Sequence, residues 1–364
     1  MMRLVPDSES IASLRWRLME WYRANRRDLP WRRNSDSYAI WVSEIMLQQT
    51  RVAVVIERFK AFMQRFPTLV SLALAPEGDI LALWSGLGYY RRARMLHKAA
   101  QFVAAHNEGN LPAAAAELRL LPGIGSYTAA AIASISHGER VAVVDGNVER
   151  VICRLQGWEE AGRTGGAILR RKIETHAADL LDPQRPGDFN QAMMELGATV
   201  CLPRNPRCSD CPIEGHCLTR GEHKVQPRPS MRSMEVSYAL AVRTGRRPGS
   251  LHREVLLEQR SASNAVMPGL WELPTLREVH VPEADLRLTV RHAIMRVNYY
   301  VRVRTVVEDD VDMLTVSGGE REWIPLIRAA DMALTGLARK VLSRAHLLAA
   351  RLELIASSRE GELA

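Results

Sequence analysis

The sequence lacks any apolar run of the roughly 20 residues that a membrane-spanning helix requires. Its first residues, Met1 to Ser10, carry charges and a proline where a secretory signal peptide needs an apolar core. These two absences argue against membrane insertion and export, and we expect a cytoplasmic protein.

Cysteine is also scarce, with five residues in the 364-residue chain, yet four of them lie within a seventeen-residue stretch. Cys201, Cys208, Cys211 and Cys217 are separated by six, two and five residues. Four thiolates at this spacing suit tetrahedral zinc or an iron–sulfur cluster, and the spacing alone leaves both open. Disulfides are less favoured in a chain without an export signal. Cys153 lies in an apolar helical pattern and is interpreted as a core residue.

The composition is that of an ordinary globular protein, with 47% hydrophobic and 25% charged residues, and the length allows two domains. The formal net charge is +8 and the pI is near 9.5. This balance favours a polyanionic partner, although only weakly, because the excess is spread along the chain.

The pattern of apolar residues divides the chain into three parts. Residues 1–218 show helical spacing and predict an all-α domain, in the stretches Ile11–Tyr22, Tyr38–Gln49, Val52–Phe66, Ile80–Leu87, Arg92–His106, Thr128–Ile135 and Ala167–Leu180. Residues 219–233 are polar and contain two prolines, which indicates a linker. Residues 234–364 predict an α+β domain that ends in a helix from Met332 to Leu354, with strands at Val236–Val242, Glu254–Gln259, Val297–Val307 and Arg321–Pro325.

The pentapeptide Leu121–Gly125, Leu-Pro-Gly-Ile-Gly, lies between two helical stretches. Gly123 and Gly125 allow a tight turn that brings backbone N–H groups close to a ligand, at a helix start where the dipole favours phosphate. This pattern is typical of a helix–hairpin–helix that binds DNA without reading its sequence, and a plain turn between helices is the alternative.

Two carboxylates are candidates for acid–base chemistry. Glu44 and Gln48 lie four residues apart and so share a helix face, and Glu44 has apolar neighbours that would raise its pKa and suit a general acid. A solvated helix face is the alternative. Asp145 follows the apolar run Val141–Val144 and precedes a helix, so it would hold its carboxylate at a helix start, or serve as an ordinary N-cap.

Basic and aromatic residues alternate in two segments, Leu29–Arg33 and Gly86–Arg94. Stackable rings beside guanidinium groups suit a distorted DNA strand. Arg204 and Arg207, in the first loop of the cysteine cluster, are candidates for contact with a phosphate. A solvated surface is the alternative for each segment taken alone.

Together these motifs resemble the helix–hairpin–helix DNA glycosylases that carry a 4Fe-4S cluster, the endonuclease III superfamily, and within it the adenine DNA glycosylases of the MutY type. The resemblance runs from about Trp16 to Cys217 and resumes at Met267–Pro274. It implies a monomeric base-excision repair enzyme, associated with the nucleoid, whose four clustered cysteines hold a 4Fe-4S cluster. Its substrate would be double-stranded DNA with adenine opposite 8-oxoguanine or guanine.

The resemblance also implies roles for individual residues. Glu44 matches the catalytic acid and Asp145 the second catalytic carboxylate, supported by Tyr127 and Asn147. Tyr127 lies where lyase-competent relatives have a Schiff-base lysine, which implies a monofunctional enzyme. The implied DNA contacts are Arg32, Gln48, Gln49, Leu87, Tyr89, Gly123, Gly125, Arg204 and Arg207, and the implied adenine pocket includes Arg32 and Gln191.

The second domain resembles the Nudix-like domain of the same family, which reads 8-oxoguanine. The sequence contains no Nudix catalytic box, since Gly319–Glu322 is too short, so the domain is expected to bind rather than hydrolyse. The family's Phe-Ser-His recognition loop is replaced by Ile294, Met295 and Arg296, which predicts weaker preference for 8-oxoguanine. Three alternatives stay open: a related mismatch or oxidised-pyrimidine glycosylase, a weakly discriminating G:A glycosylase, and a DNA-binding or electron-transfer protein without catalysis.

Overall fold

The computed structural model describes residues 8–158, 166–223, 230–245, 252–264, 266–276, 282–294, 296–308, 310, 314 and 319–348. The chain divides into two compact units by its backbone contacts. The helical unit comprises residues 1–74 and 95–227, and the mixed unit comprises residues 75–94 and 228–364. No described helix is long and apolar enough to cross a bilayer.

The helical unit contains the candidate motifs for chemistry. Its helices are α1 (Ser8–Asn25), α2 (Ser37–Leu47), α3 (Val52–Arg65), α4 (Leu69–Ala73), most of α6 (Arg91–His106), α7 (Ala115–Leu118), α8 (Ser126–His137), α9 (Gly146–Leu155), α10 (Gly166–Leu180) and α11 (Pro186–Thr199). The short α5 (Glu77–Leu83) belongs to the mixed unit. A 3-10 turn, Pro30–Arg32, precedes α2. The helical stretches predicted from the sequence all fall on helices, with their ends shifted by a few residues.

The core of the helical unit places α9 and α11 against α1 and α10. Buried side chains from these four helices pack together, including Leu18, Ile152, Ile173 and Phe189. Cys153 is fully buried in this cluster, which confirms the prediction that it is a core residue. The apolar spacing of α9 and α11 therefore fixes the start of α9, where Asp145 lies, against the side of α11.

The mixed unit is built on a sheet ordered β3-β2-β1-β5-β4, with β6 paired to β2. The strands are β1 (Arg232–Thr244), β2 (Arg253–Gln259), β3 (Trp271–Glu272), β4 (Leu286–Ile294), β5 (Val297–Val306) and β6 (Arg321–Pro325). β1 and β5 are parallel and the other pairs are antiparallel. Helix α13 (Gly336–Arg344) covers one face through Leu337 and Val341, and a short α12 (Leu326–Ala329) follows β6. The α+β prediction is confirmed.

The chain segment 75–94 groups with the mixed unit, whereas the sequence-based division placed it in the helical domain. Tyr90 donates its hydroxyl to the carbonyl of Leu334 at 3.0 Å, and Arg339 donates to the hydroxyl of Ser85 at 2.7 Å. These contacts join residues more than 200 positions apart, so no local pattern predicts them.

The helix predicted from Met332 to Leu354 is wrong at its start. Residues 332–334 are not helical, because the backbone N–H of Trp271 donates to Ala333 at 2.9 Å. The helix begins only after Thr335, whose hydroxyl accepts from the N–H of Ala338 at 3.0 Å and caps it. The predicted end of this helix lies outside the described residues.

Candidate active site

The Leu-Pro-Gly-Ile-Gly segment forms the predicted turn between α7 and α8. Gly123 has a φ of 77°, and a Cβ at this position would lie 2.6 Å from the Cβ of Met95, so only glycine fits. Gly125 is the N-cap residue of α8, and both glycines are exposed. The turn therefore presents the first N–H groups of a twelve-residue helix at the surface, an arrangement suited to a phosphate.

A cavity of about 540 Å³ opens in the helical unit. Its walls come from α2, α8, the first turn of α9, α11 and the turn Pro30–Arg32. It is lined by eight of the residues predicted from the sequence: Arg32, Glu44, Gln48, Gln49, Tyr127, Asp145, Asn147 and Gln191. Residues that span 160 positions of sequence thus meet around one space large enough for a nucleobase.

Glu44 lies in the buried face of α2 and is 6% exposed, so the solvated-face alternative is wrong. The hydroxyl of Tyr127 donates to its Oε2 at 2.5 Å. Burial raises the pKa of Glu44 to about 7. The hydrogen bond from Tyr127 and the charge of Arg32 lower this pKa, whereas the charge of Asp145 raises it. A carboxylic acid with a pKa near 7 can give a proton to a bound group at neutral pH.

Asp145 is the N-cap residue of α9. Its Oδ1 accepts from the backbone N–H groups of Asn147 at 2.9 Å and Val148 at 2.7 Å, and its Oδ2 accepts from the side chain of Asn147 at 2.9 Å. The N-cap alternative is therefore correct as a description of local structure. It does not exclude a chemical role, because the same carboxylate lines the cavity beside Glu44.

The extended segment before Asp145 is fixed by α11. The side chain of Asn190 accepts from the N–H of Val143 at 3.0 Å and donates to the carbonyl of Val141 at 2.9 Å. At the next turns of α11, Gly197 lies so close to α9 that a Cβ would be 2.7 Å from the Cβ of Asn147. The position of the Asp145 carboxylate thus depends on close contact between these two helices.

Arg150 links the same region to the cysteine loop. Its guanidinium donates to the side-chain oxygen of Asn147 at 2.9 Å and to the carbonyls of Gly197 and Cys201 at 2.8 Å each. Arg154, which is buried, donates to the sulfur of Cys201 at 3.4 Å and to the carbonyl of Leu202 at 2.7 Å. Helix α9 and the cysteine loop are therefore joined by hydrogen bonds from both Arg150 and Arg154.

The four clustered cysteines line one small cavity together with Arg154, Arg207 and Arg220. All five cysteines are free, so the disulfide alternative gains no support. Burial, and after it the neighbouring thiols, raises the pKa of Cys211 to about 11. No group of three or more His, Cys, Asp or Glu side chains in the described part of the chain is spaced for a single metal ion.

Glu195 is a cavity residue that the sequence analysis missed. Its side chain is 1% exposed, and it accepts from Arg27 at 2.6 and 2.8 Å and from Arg32 at 2.9 Å. Burial alone would raise the pKa of Glu195, but the hydrogen bonds and charges of Arg27 and Arg32 outweigh it and lower the pKa. The signal in the sequence was a glutamate among the apolar residues of α11, which is weak without knowledge of its partners.

The remaining predicted contacts lie elsewhere. Tyr89 is exposed in the mixed unit, whereas Leu87 is buried there and does not present its side chain to a ligand. Arg204 is exposed, and Arg207 donates to the carbonyl of Thr199. Ile294 is the last residue of β4, Arg296 lies in the turn before β5, and Met295 lies outside the described residues.

Comparison with known proteins finds similarity that is concentrated in the helical unit. Residues 42–175 match the family described as "HhH-GPD superfamily base excision DNA repair protein". Most of this match lies in the helical unit. A solved structure described as a thermostable thymine-DNA glycosylase superposes with a TM-score of 0.52 and 27% sequence identity, and it covers 58% of this chain and 96% of its own. The fold of the helical unit is therefore similar to that of this glycosylase.

Curated relatives extend the similarity beyond the HhH-GPD region. The adenine DNA glycosylase of Homo sapiens is 38% identical over 325 residues, which cover 75% of this chain and 59% of the relative. That of Arabidopsis thaliana is 38% identical over 328 residues, covering 79% of this chain and 50% of the relative. The chain thus spans about half of the length of the curated relatives that it matches.

Proposed function

We propose that the protein is a monofunctional adenine DNA glycosylase that removes adenine paired with 8-oxoguanine or guanine in double-stranded DNA during base excision repair. The observation that carries this proposal is the buried Glu44 beside Asp145 in a cavity of nucleobase size. The similarity to adenine DNA glycosylases supports the choice of adenine.

The geometry supports a sequence of steps that begins with base flipping. The phosphate-binding turn around Gly123 and Gly125 holds the backbone, and the adenine swings out of the helix into the cavity, at a cost of roughly a few kcal/mol. Protonated Glu44 then gives its proton to N7 of adenine, which makes the base a better leaving group. The sugar becomes cationic as the N-glycosidic bond breaks, and the Asp145 carboxylate stabilises it. Glu44, now deprotonated, can activate the water that completes hydrolysis.

The hydrogen bond from Tyr127 to Glu44 supports the proposed monofunctional chemistry. Tyr127 offers a phenol and no amine, so it cannot form a Schiff base with the sugar. Burial, followed by the charges of Glu44 and Asp145, raises the pKa of Tyr127, and its hydroxyl remains a donor. Tyr127 therefore orients the Glu44 carboxyl group. Because no Schiff base can form at this position, the product is an intact abasic strand.

We infer that the cysteine loop holds a 4Fe-4S cluster. Cys201, Cys208, Cys211 and Cys217 supply four sulfurs around one cavity, and the neighbouring thiols help to raise the pKa values of Cys208 and Cys211. Such a donor set fits an iron–sulfur centre. When bound, the cluster would supply structural support for the loop that carries Arg204 and Arg207, and the hydrolysis uses the residues of the other cavity.

We also propose that the mixed unit is a Nudix-like module that binds DNA and lacks hydrolase activity. Its recognition loop would be the β4–β5 turn, which includes Ile294 and Arg296. The described residues there offer one strong hydrogen-bond donor, Arg296, so we propose a modest preference for 8-oxoguanine over guanine.

The experiment that tests the function is product analysis on defined duplexes. Under single-turnover conditions, release of free adenine from 8-oxoguanine:A and G:A duplexes should be faster than release of any base from G:T or oxidised-pyrimidine duplexes. The G:T duplex is included because a structural relative is described as a thymine-DNA glycosylase. Faster release of thymine or of an oxidised pyrimidine would assign the protein to a different glycosylase class, and binding without base release would leave it a DNA-binding protein.

A further inference from the structure

The buried Glu195 carboxylate of α11 accepts four hydrogen bonds. Its Oε1 accepts from the backbone N–H of Arg27 at 3.2 Å and from the Nε of Arg27 at 2.6 Å. Its Oε2 accepts from the Nη2 of Arg27 at 2.8 Å and from the Nη2 of Arg32 at 2.9 Å. One buried carboxylate is therefore shared by two guanidinium groups and a peptide N–H.

The two arginines reach Glu195 from the short segment between α1 and α2. Arg27 follows the end of α1, and its side chain is 37% exposed. Arg32 ends the 3-10 turn, and its side chain is 12% exposed and lies over the ring of Tyr22 at 5.8 Å. Arg27, Arg32 and Glu195 all line the cavity that contains Glu44. Glu195 thus joins a segment near the start of the chain to α11 at the cavity wall.

This group also places charge in the wall of the cavity that contains Glu44. Two guanidinium groups and one carboxylate leave one net positive charge in the wall. Arg32 already acts on Glu44 and lowers its pKa. The other titratable groups that face Glu44 are Tyr127 from α8 and Asp145 from the start of α9. Removing the carboxylate of Glu195 would leave two uncompensated cations in a partly buried site.

We propose that Glu195 is a positioning residue for base release: it fixes Arg27 and Arg32 in the cavity wall and holds the charge of that wall at one net positive unit. The proposal rests on the proposed function, in which Glu44 must be protonated to act. It predicts that Glu195 controls the pH range of the reaction and does not touch the reacting atoms.

The test compares the pH dependence of single-turnover adenine release in Glu195→Gln, Arg27→Gln/Glu195→Gln and wild type. Glu195→Gln changes the wall from one to two positive charges, which lowers the pKa of Glu44 and moves the alkaline limb of the profile to lower pH. A shift of about half a pH unit from a pKa of about 7 gives roughly a threefold loss at pH 8 and almost none at pH 5.5. The double variant restores one positive charge and should return the limb to the wild-type position.

The controls separate this effect from a loss of folding. Glu174→Gln removes an exposed carboxylate paired with Arg170 and should leave the profile unchanged. If Glu195→Gln does not fold, Arg27→Gln alone replaces it: that variant leaves the wall neutral and should move the limb to higher pH. A uniform fall in rate with an unmoved limb, an upward shift in Glu195→Gln, or a double variant that keeps the shift would overturn the proposal. Base release that does not depend on Glu44 would instead refute the proposed function, whatever Glu195 does.

Discussion

Glu44→Gln should abolish adenine release while duplex binding persists. Glutamine keeps the shape of the side chain and can still accept from Tyr127, but it has no proton to give to N7. Loss of general acid catalysis typically costs 10²–10⁴-fold in rate. Because Glu44 is buried inside the cavity and is not proposed to contact the DNA backbone, the affinity for the duplex should change little.

The raised pKa of Glu44 determines what fraction of the protein carries the reactive proton at neutral pH. With a pKa of about 7, roughly half of the Glu44 side chains are protonated at pH 7. With the ordinary value of 4.5, only about 0.3% would be protonated, so burial raises the reactive fraction on the order of 150-fold. The sign follows from the acid role: activity is present below pH 7 and falls about tenfold per pH unit above it.

The assay is single-turnover release of adenine from an 8-oxoguanine:A duplex between pH 5.5 and 9, with duplex binding measured in parallel. Glu57→Gln, which removes an exposed carboxylate of α3 paired with Lys60, is the matched control and should behave as wild type. Appreciable excision by Glu44→Gln would remove Glu44 from the acid role. A wild-type rate that rises steadily from pH 6 to 9 would contradict the raised pKa.

Four further results are expected. Tyr127→Phe removes a hydrogen bond that lowers the pKa of Glu44, so the alkaline limb of the pH profile should move to higher pH; a downward shift would contradict this role. Borohydride trapping should give little covalent adduct, and strand cleavage as fast as adenine release would argue against a monofunctional enzyme. Anaerobically purified protein should contain about four irons per chain, in Cys153→Ser as in wild type, and zinc without iron would refute the cluster. Restoring Phe-Ser-His at 294–296 should raise the preference for 8-oxoguanine over guanine roughly ten- to a hundred-fold, for one hydrogen bond worth ~1–3 kcal/mol; an unchanged ratio would place recognition elsewhere.

The sequence predicted what is local and periodic. The helical texture, the turn at Gly123 and the buried Cys153 follow from spacing and from residue types that act over a few positions. Strand β3 was not predicted because it is only two residues long, and β4 was missed although Leu286, Leu288 and Val290 alternate with polar residues.

A site residue could be predicted only where its immediate neighbours in the sequence mark it as unusual. Glu44 among apolar neighbours and Asp145 before a glycine both stand out in the sequence. Glu195 does not, because its importance comes from Arg27, which is 168 positions away. The partner of Glu44 was equally hidden, since its hydrogen bond to Tyr127 joins α2 to α8. Such contacts depend on how distant helices pack together, and the local pattern of a single sequence does not predict which residues will meet.

The Asp145 carboxylate caps helix α9 and is also the group proposed to stabilise the sugar cation. It accepts hydrogen bonds from two backbone N–H groups in the first turn of α9. Replacing such a capping residue with alanine costs about 1 kcal/mol of stability. An alanine here would therefore weaken the protein and the reaction together, and neither loss could be read from the other. Asparagine caps helices as well as aspartate does but carries no charge. The helix start can thus survive Asp145→Asn, a substitution that removes the charge proposed to stabilise the cationic sugar, so this variant separates the structural role of the carboxylate from its proposed chemical one.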